Sequence, residues 1–375
     1  MRWTEWTQGR SFDVASPSWA LVYATHDAPI LPALRALAAR YKGIKAFGAT
    51  SFRGVFSPKG FTRGVHVLFG ETSDDVSVAP VLRVTNAARA RGEAKAAASE
   101  ILRTLGHVDA MLLHATPGFE ERLLEGIDDA TGGKCPVYGG SAADDDLSGK
   151  WRVFSGVRIE QEGFVLIGFA YPRKIHGSFV AGYTPMSERG TVTSAQGRIV
   201  RTIDGEPAAR VYNRWTHGGI EAQLGGGIVL GPTSLRPLGR VIDKVGAIPR
   251  YLLSHPHEVL PDGSLALFTE VHVGDELVLM LGNEGSLLDR TKQAAARALA
   301  GEDKGVRGGI LIYCGGCVGA IGDAAAAVVS TTFSQELGGA PFVGAATFGE
   351  QGCFLGPKAV NRHGNLMCDA MLFET

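Results

Sequence analysis

The sequence has almost no surplus charge: 37 Lys and Arg stand against 38 Asp and Glu over 375 residues, with a pI near 6.8. With no long basic stretch either, it lacks the electrostatic footprint of a nucleic-acid binder. Long apolar runs are also missing. No stretch approaches 18 uninterrupted apolar residues, so no membrane-spanning helix is expected. The first residues, Met1 to Arg10, contain no apolar segment of the secretory kind, which predicts a cytoplasmic protein. Cysteine is scarce. Cys135, Cys314, Cys317, Cys353 and Cys368 are five in all, an odd number that excludes a complete disulfide framework and fits reduced thiols. Enzyme signatures are absent too: there is no G-x-S-x-G elbow, no Walker A loop and no H-E-x-x-H pair. His255-Pro256-His257-Glu258 comes nearest, but histidines two apart around a proline fit a polar turn rather than a helical zinc pair.

Glycine is what the sequence has in excess. Its 51 glycines are about twice the usual share of roughly 7%, which predicts many tight turns and close backbone approaches. Hydrophobic residues at 45% and charged residues at 20% are ordinary for a globular core.

A strand–helix–strand pattern recurs along the chain. Residues 19–24 read as a buried strand, 29–41 as a helix, and a glycine turn leads to a short strand ending at Gly48-Ala49-Thr50-Ser51-Phe52. Residues 108–114 and 120–130 repeat it, with Gly132-Gly133 as the helix stop before Pro136-Val137-Tyr138-Gly139-Gly140-Ser141. Residues 309–313 and 320–337 repeat it again, with Gly338-Gly339 before Pro341-Phe342-Val343-Gly344. Between the second and third copies, residues 163–171, 175–183 and 197–203 read as an antiparallel meander. Glu206-Pro207 opens a helix to Trp215. A second meander is expected over 251–254, 264–272 and 275–281, then a helix over 286–300 with Ser286 as N-cap and Gly301 as its end. The predicted fold is α/β, mixed α+β. Two related halves, 1–215 and 216–375, carry mixed sheets flanked by helices and are joined by antiparallel meanders.

An ordered set of motifs resembles the FIST-domain family over roughly residues 20–355. The N-terminal part is similar in Gly48-Ala49-Thr50-Ser51-Phe52-Arg53-Gly54, in Pro136 to Asp145, and in Ile203-Asp204-Gly205-Glu206-Pro207-Ala208. The C-terminal part is similar in Val273-Gly274-Asp275-Glu276, Tyr313-Cys314-Gly315-Gly316, and Pro341 through Glu350. The resemblance implies a sensory protein that binds a small ligand, with amino acids proposed as ligands and one branch binding haem to report nitric oxide. Many members are fused to kinase or cyclase modules. This sequence ends at Thr375, so its output is expected to pass to a separate partner such as a histidine kinase or cyclase. It departs from the family where many members carry a glutamate after the first glycine turn: Arg53 stands here, and arginine suits a carboxylate or phosphate instead.

Ligands of open α/β sheets bind beyond the carboxyl ends of strands. The pattern places three such ends at Tyr23–Asp27, His114–Gly118 and Cys314–Cys317, with the glycine turns nearby offering backbone N–H groups to an anion. The candidate ligand-binding residues are Gly48, Thr50, Ser51, Arg53, His114, Gly139, Gly140, Ser141, Asp144, Asp145, Cys314, Gly344, Thr347 and Glu350. The carboxylates of the 140–146 turn suit an ammonium group, and equally a solvated loop or an N-cap. Cys314-Gly315-Gly316-Cys317 has the spacing of a redox pair at a helix start, which makes the two thiols candidates for a redox or biosynthetic enzyme. Joined by Cys353 and His363 the same pair has the ligand count of a zinc site, and it reads equally as small residues in a tight turn. Haem needs an axial ligand beside an apolar cavity, for which His176, His217 and His257 are candidates. No C-x-x-C-H is present for covalent attachment.

Overall fold

A computed structural model describes residues 1–245, 248–299, 305–354 and 360–375. The fold is mixed α/β, and the chain forms two compact units. One holds residues 1–180, 291–363 and 368–375, the other 181–290 and 364–367. These units do not follow the expected division at 215/216, which falls inside the second of them. The physical reason is strand pairing: Val55–Ser57, near the start of the chain, completes the sheet that contains Phe342–Thr347.

Three six-stranded sheets make up the larger unit. Each is built round a parallel pair joined by a crossover helix, as the recurring pattern predicts. The first pairs Pro17–Thr25 with Lys45–Ser51 through the helix Ile30–Arg40. The second pairs Ala110–Ala115 with Val137–Gly140 through Glu120–Thr131. The third pairs Val306–Cys314 with Phe342–Thr347 through Gly315–Glu336. Parallel neighbours need such a crossover. The first helix buries Ile30, Ala33, Leu34 and Leu37, the spacing of one apolar face. The second ends at Gly132 in the left-handed conformation, as its sequence predicts.

Strand order is the same in all three sheets. Outside the first parallel strand lies an antiparallel one, Val65–Glu71, Phe164–Ala170 or Cys368–Glu374. Outside the second lies a hairpin, and each hairpin comes from a different repeat. The hairpin after the first pair (55–62) joins the third sheet. The one after the second pair (153–160) joins the first sheet, and strands after the third pair, Glu350–Phe354 and Val360–Gly364, join the second. The exchange locks the three sheets together over one core, in which Trp19, Tyr23, Phe47, Leu112, Tyr138, Ile312 and Val343 are buried.

Two glycines set the close approach inside the parallel pairs. Gly48 and Gly139 have φ of +155° and +146°, and a Cβ on either would lie 1.8 Å from the Val22 carbonyl oxygen or 1.9 Å from that of Leu113.

In several places the structure corrects the sequence reading. Phe164–Ala170 and Ile175–Val180 enter different sheets rather than one meander, because each finds its partner far along the chain. The third helix starts at Gly315 and is interrupted at Gly322 (φ 82°, ψ 164°). By length and composition this helix is apolar enough to cross a membrane, though a third of its most apolar window is buried. The break leaves two pieces, each shorter than the ~20 residues a span needs. The helix expected from Ser286 begins at Glu284. Asn283 caps it instead, its Oδ1 accepting the Ser286 N–H at 2.9 Å while Ser286 Oγ accepts the Asn283 N–H at 3.1 Å. The expected stop at Gly301 lies outside the described residues.

The smaller unit is a nine-stranded antiparallel sheet. The helix Ala208–Trp215 packs on it, burying Val211, Tyr212 and Trp215 against Val200, Leu265 and Leu277. The expected second meander lies in this sheet, but Ile248–Ser254 pairs with Leu238–Val245, and Glu276–Leu281 with Thr184–Gln196.

Candidate functional site

The carboxyl ends of the three parallel pairs lie together in the larger unit, and their turns are joined by a closed cycle of backbone hydrogen bonds. Phe52 N donates to Ala346 O (2.9 Å), Phe348 N to Ser141 O (3.0 Å), and Ala143 N to Thr50 O (3.0 Å). The strand registers place Gly48, Gly139 and Gly344 in equivalent positions, opposite Val22, Leu113 and Leu311. Residues 50, 141 and 346 are therefore equivalent, and so are 52, 143 and 348. The cycle is one hydrogen bond repeated three times.

Around this ring the predicted residues fall into two polar groups. The first is buried. Ser141 Oγ donates to Glu120 Oε1 at 2.7 Å, and Gln351 Nε2 donates to Ser141 Oγ at 3.3 Å. Gln351 Nε2 also lies 3.2 Å from His363 Nδ1, and His363 Nε2 is 4.0 Å from Glu120 Oε2. Beside them Thr347 Oγ1 donates to Glu350 Oε1 at 2.9 Å. Gly140 packs against Thr347, where a Cβ would come within 2.5 Å. Its carbonyl accepts a hydrogen bond from His114 Nδ1 at 2.9 Å. That assignment leaves His114 Nε2 to accept from Tyr23 Oη at 2.8 Å. Burial pushes the His114 imidazole down to about 4, so it is neutral near pH 7, and burial, together with Asp369, pushes the Tyr23 phenol up.

The second group opens toward solvent. Asp145 accepts from Arg53 N and from Arg63 Nη1, both at 2.8 Å, and Arg63 also pairs with Asp27 at 2.8 Å. The Asp27 carboxyl is held below its ordinary range by Arg63 and Thr25, against the opposing effect of burial. Arg53 takes a left-handed backbone (φ 58°) and lays its guanidinium over Phe52, 4.9 Å from the ring centre. Asp144 is fully buried. Its Oδ2 accepts from Lys150 N at 2.7 Å, and no protein donor reaches its Oδ1. Thr50 Oγ1 accepts from Arg152 N (2.9 Å), and Ser51 Oγ accepts from Ala346 N (2.8 Å).

The FIST N domain matches residues 18–206 and the FIST C domain matches residues 208–353. The chain belongs to the FIST family. FIST domains are signalling sensor domains that bind small ligands, and the two matches meet within the smaller compact unit. A search of curated proteins finds no match.

The remaining candidates of this FIST protein are placed as follows. Cys314 is opposite Thr347 in the parallel register, and Cys314, Cys317 and Cys353 are all buried. Burial works against the exposed, electropositive setting of a reactive thiol. Among the described residues the group close enough to share an ion is Glu120, Glu121 and His363, whose ligand atoms lie within 4.8 Å of one another. Of the haem candidates, His176 pairs with Glu374 at 3.0 Å, His217 sits exposed in a left-handed turn, and His257 stacks on Phe268 at 4.2 Å.

Sequence reasoning missed Glu120, Glu121, Gln351 and Arg63. Acids in a first helical turn read as complements of the helix dipole, which hides a second role. Gln351 had a visible signal: with Glu350 it puts two polar residues into a strand that is buried throughout.

Proposed function

We propose that this FIST protein is a cytoplasmic sensor that binds a small zwitterionic metabolite, an amino acid or a close relative, at the ring of strand-end turns. Occupancy is then passed to a separate partner, a histidine kinase or a cyclase. The observation that carries the reading is Asp144. A fully buried carboxylate with one oxygen that meets no protein donor is costly unless a donor is supplied. A ligand ammonium is such a donor. The neighbouring Asp145 accepts from the Arg53 backbone N–H and the Arg63 guanidinium, and the side chains of Arg53 and Arg63 beside this turn are of the type that suits a ligand carboxylate. The neutral His114–Tyr23 pair lies behind the turn as an uncharged support for Gly140.

The test is calorimetric titration of the purified chain with each common amino acid. One or a few should bind with saturable heat, and Asp144→Asn should weaken that binding by about 10- to 100-fold, the range for a charge-assisted hydrogen bond. Unchanged affinity in Asp144→Asn would remove this carboxylate from the site.

A further inference from the structure

We infer that Glu120, Glu121 and His363 form a binding site for a divalent transition-metal ion, with Ser141 and Gln351 as its outer shell. Three observations carry the inference, and none depends on the amino-acid reading.

The first is the donor set. One imidazole and two carboxylates converge within 4.8 Å. Glu120 and His363 are buried, at 1% and 3% exposure. An ion bound at ~2.0–2.2 Å by such ligands draws donors closer than the 4.0 Å now between His363 Nε2 and Glu120 Oε2, a movement within the reach of side-chain rotation. The imidazole favours a divalent transition metal such as zinc, iron or cobalt over calcium or magnesium, which take oxygen ligands.

The second is Gln351. It is fully buried, its amide is held between Ser141 Oγ and His363 Nδ1, and its Oε1 meets no protein donor. A metal-ligating histidine donates its other ring N–H to an acceptor that fixes the tautomer. Ion binding at His363 Nε2 requires the Gln351 amide to turn, so that Oε1 accepts from His363 Nδ1–H; the turn gives up the Gln351 Nε2 contacts with Ser141 Oγ and with Gly349 O at 3.5 Å. Ser141, donating to Glu120 Oε1, orients the first carboxylate in the same way.

The third is the comparison among repeats. The hairpin strands pair Phe56 with Gly344, Phe154 with Gly48 and Gln351 with Gly139; at the next position they pair Val55 with Ala345, Val153 with Ala49 and Glu350 with Gly140. Two repeats close this place with valine and phenylalanine, and the third closes it with glutamate and glutamine. Packing alone asks for the apolar pair, so the polar pair points to a ligand.

The experiment uses the full chain stripped with a chelator and titrated with Co²⁺, followed by visible absorbance and calorimetry, with Zn²⁺ as competitor. One ion per chain is expected. Glu121→Gln and His363→Gln should each weaken Co²⁺ binding at least tenfold, and Gln351→Leu by 10- to 100-fold, as outer-shell losses do. Glu121 is only half-buried, so its variant decides the matter even if His363→Gln fails to fold. Absence of saturable binding, equal affinity in Glu121→Gln, or a thiolate charge-transfer band placing the ion on cysteine would each overturn the inference. Because no amino acid is present, failure here leaves the Asp144 reading standing, and failure there leaves this one.

Discussion

The second sheet differs from the first and third where the hairpin strand meets the shared geometry of the parallel pair. Val55-Phe56 and Val153-Phe154 seal their sheets with buried apolar side chains, whereas Glu350-Gln351, also fully buried, bring four polar side-chain atoms to the same place. Buried polar groups cost free energy unless hydrogen-bonded. The backbone at the three places is alike, so the backbone does not explain the choice. The difference teaches that one of three equivalent corners holds buried polar groups where packing alone asks for apolar ones.

The largest way to break the comparison is through the shared glycines. Gly48→Ala and Gly139→Ala each drive a Cβ into a carbonyl oxygen at under 2 Å and strain a positive φ. A loss of about 4 kcal/mol or more is expected from overpacking and strain together, read as lost soluble expression or a collapsed urea midpoint. Gly344→Ala, with its nearest contacts at 2.8 Å, should be the mildest of the three. Next, making an apolar corner polar should be severe: Phe56→Gln removes packing and buries an amide without partners, costing about 3–5 kcal/mol in urea unfolding.

Acid should act on the second repeat through His114. Its folded value of about 4 lies below the ordinary 6.5, so the unfolded chain binds the proton first. Its contribution is intact above pH 6.5 and is lost as pH falls toward 4, by about 3 kcal/mol in all. His255, buried in the smaller unit and also lowered to about 4, and His66 and His257, lowered by burial too, add losses of the same sign, so His114→Gln should remove part of the pH dependence of stability. The smallest effect belongs to the solvent-facing group. Arg63→Gln breaks pairs with Asp27 and Asp145 that are largely exposed, and stability should change by no more than about 1 kcal/mol while ligand affinity falls further.

Much of this was legible in the sequence. The three strand–helix–strand units could be read because local periodicity and glycine stops belong to each segment alone, and the strand ends did prove to meet. The exchange of hairpins among sheets could not be read. It pairs residues some 290 positions apart, such as Val55 and Ala345, and nothing local in 55–62 names its partner. The helix Ala90–Leu105 escaped notice although Ala90, Ala94, Ala97, Ala98 and Ile101 mark one face, because alanine is a weak hydrophobic signal. The buried group was half visible. His363 and Ser141 stand out by type, while Glu120 in a first helical turn looks like any acid that complements the helix dipole, and Gln351 shows only as a polar residue beside Glu350.

The most direct measurement makes the second corner resemble the other two. The double variant Glu350→Val/Gln351→Leu would be compared with the parent by urea unfolding and by titration with the amino-acid panel and Co²⁺. If the polar pair serves the ion, Co²⁺ binding weakens at least tenfold while amino-acid binding is kept, and stability falls by about 1–3 kcal/mol because the buried Thr347 hydroxyl loses its Glu350 acceptor. A variant that loses several kcal/mol yet binds as the parent does would contradict the account, and the polar corner would then be structural.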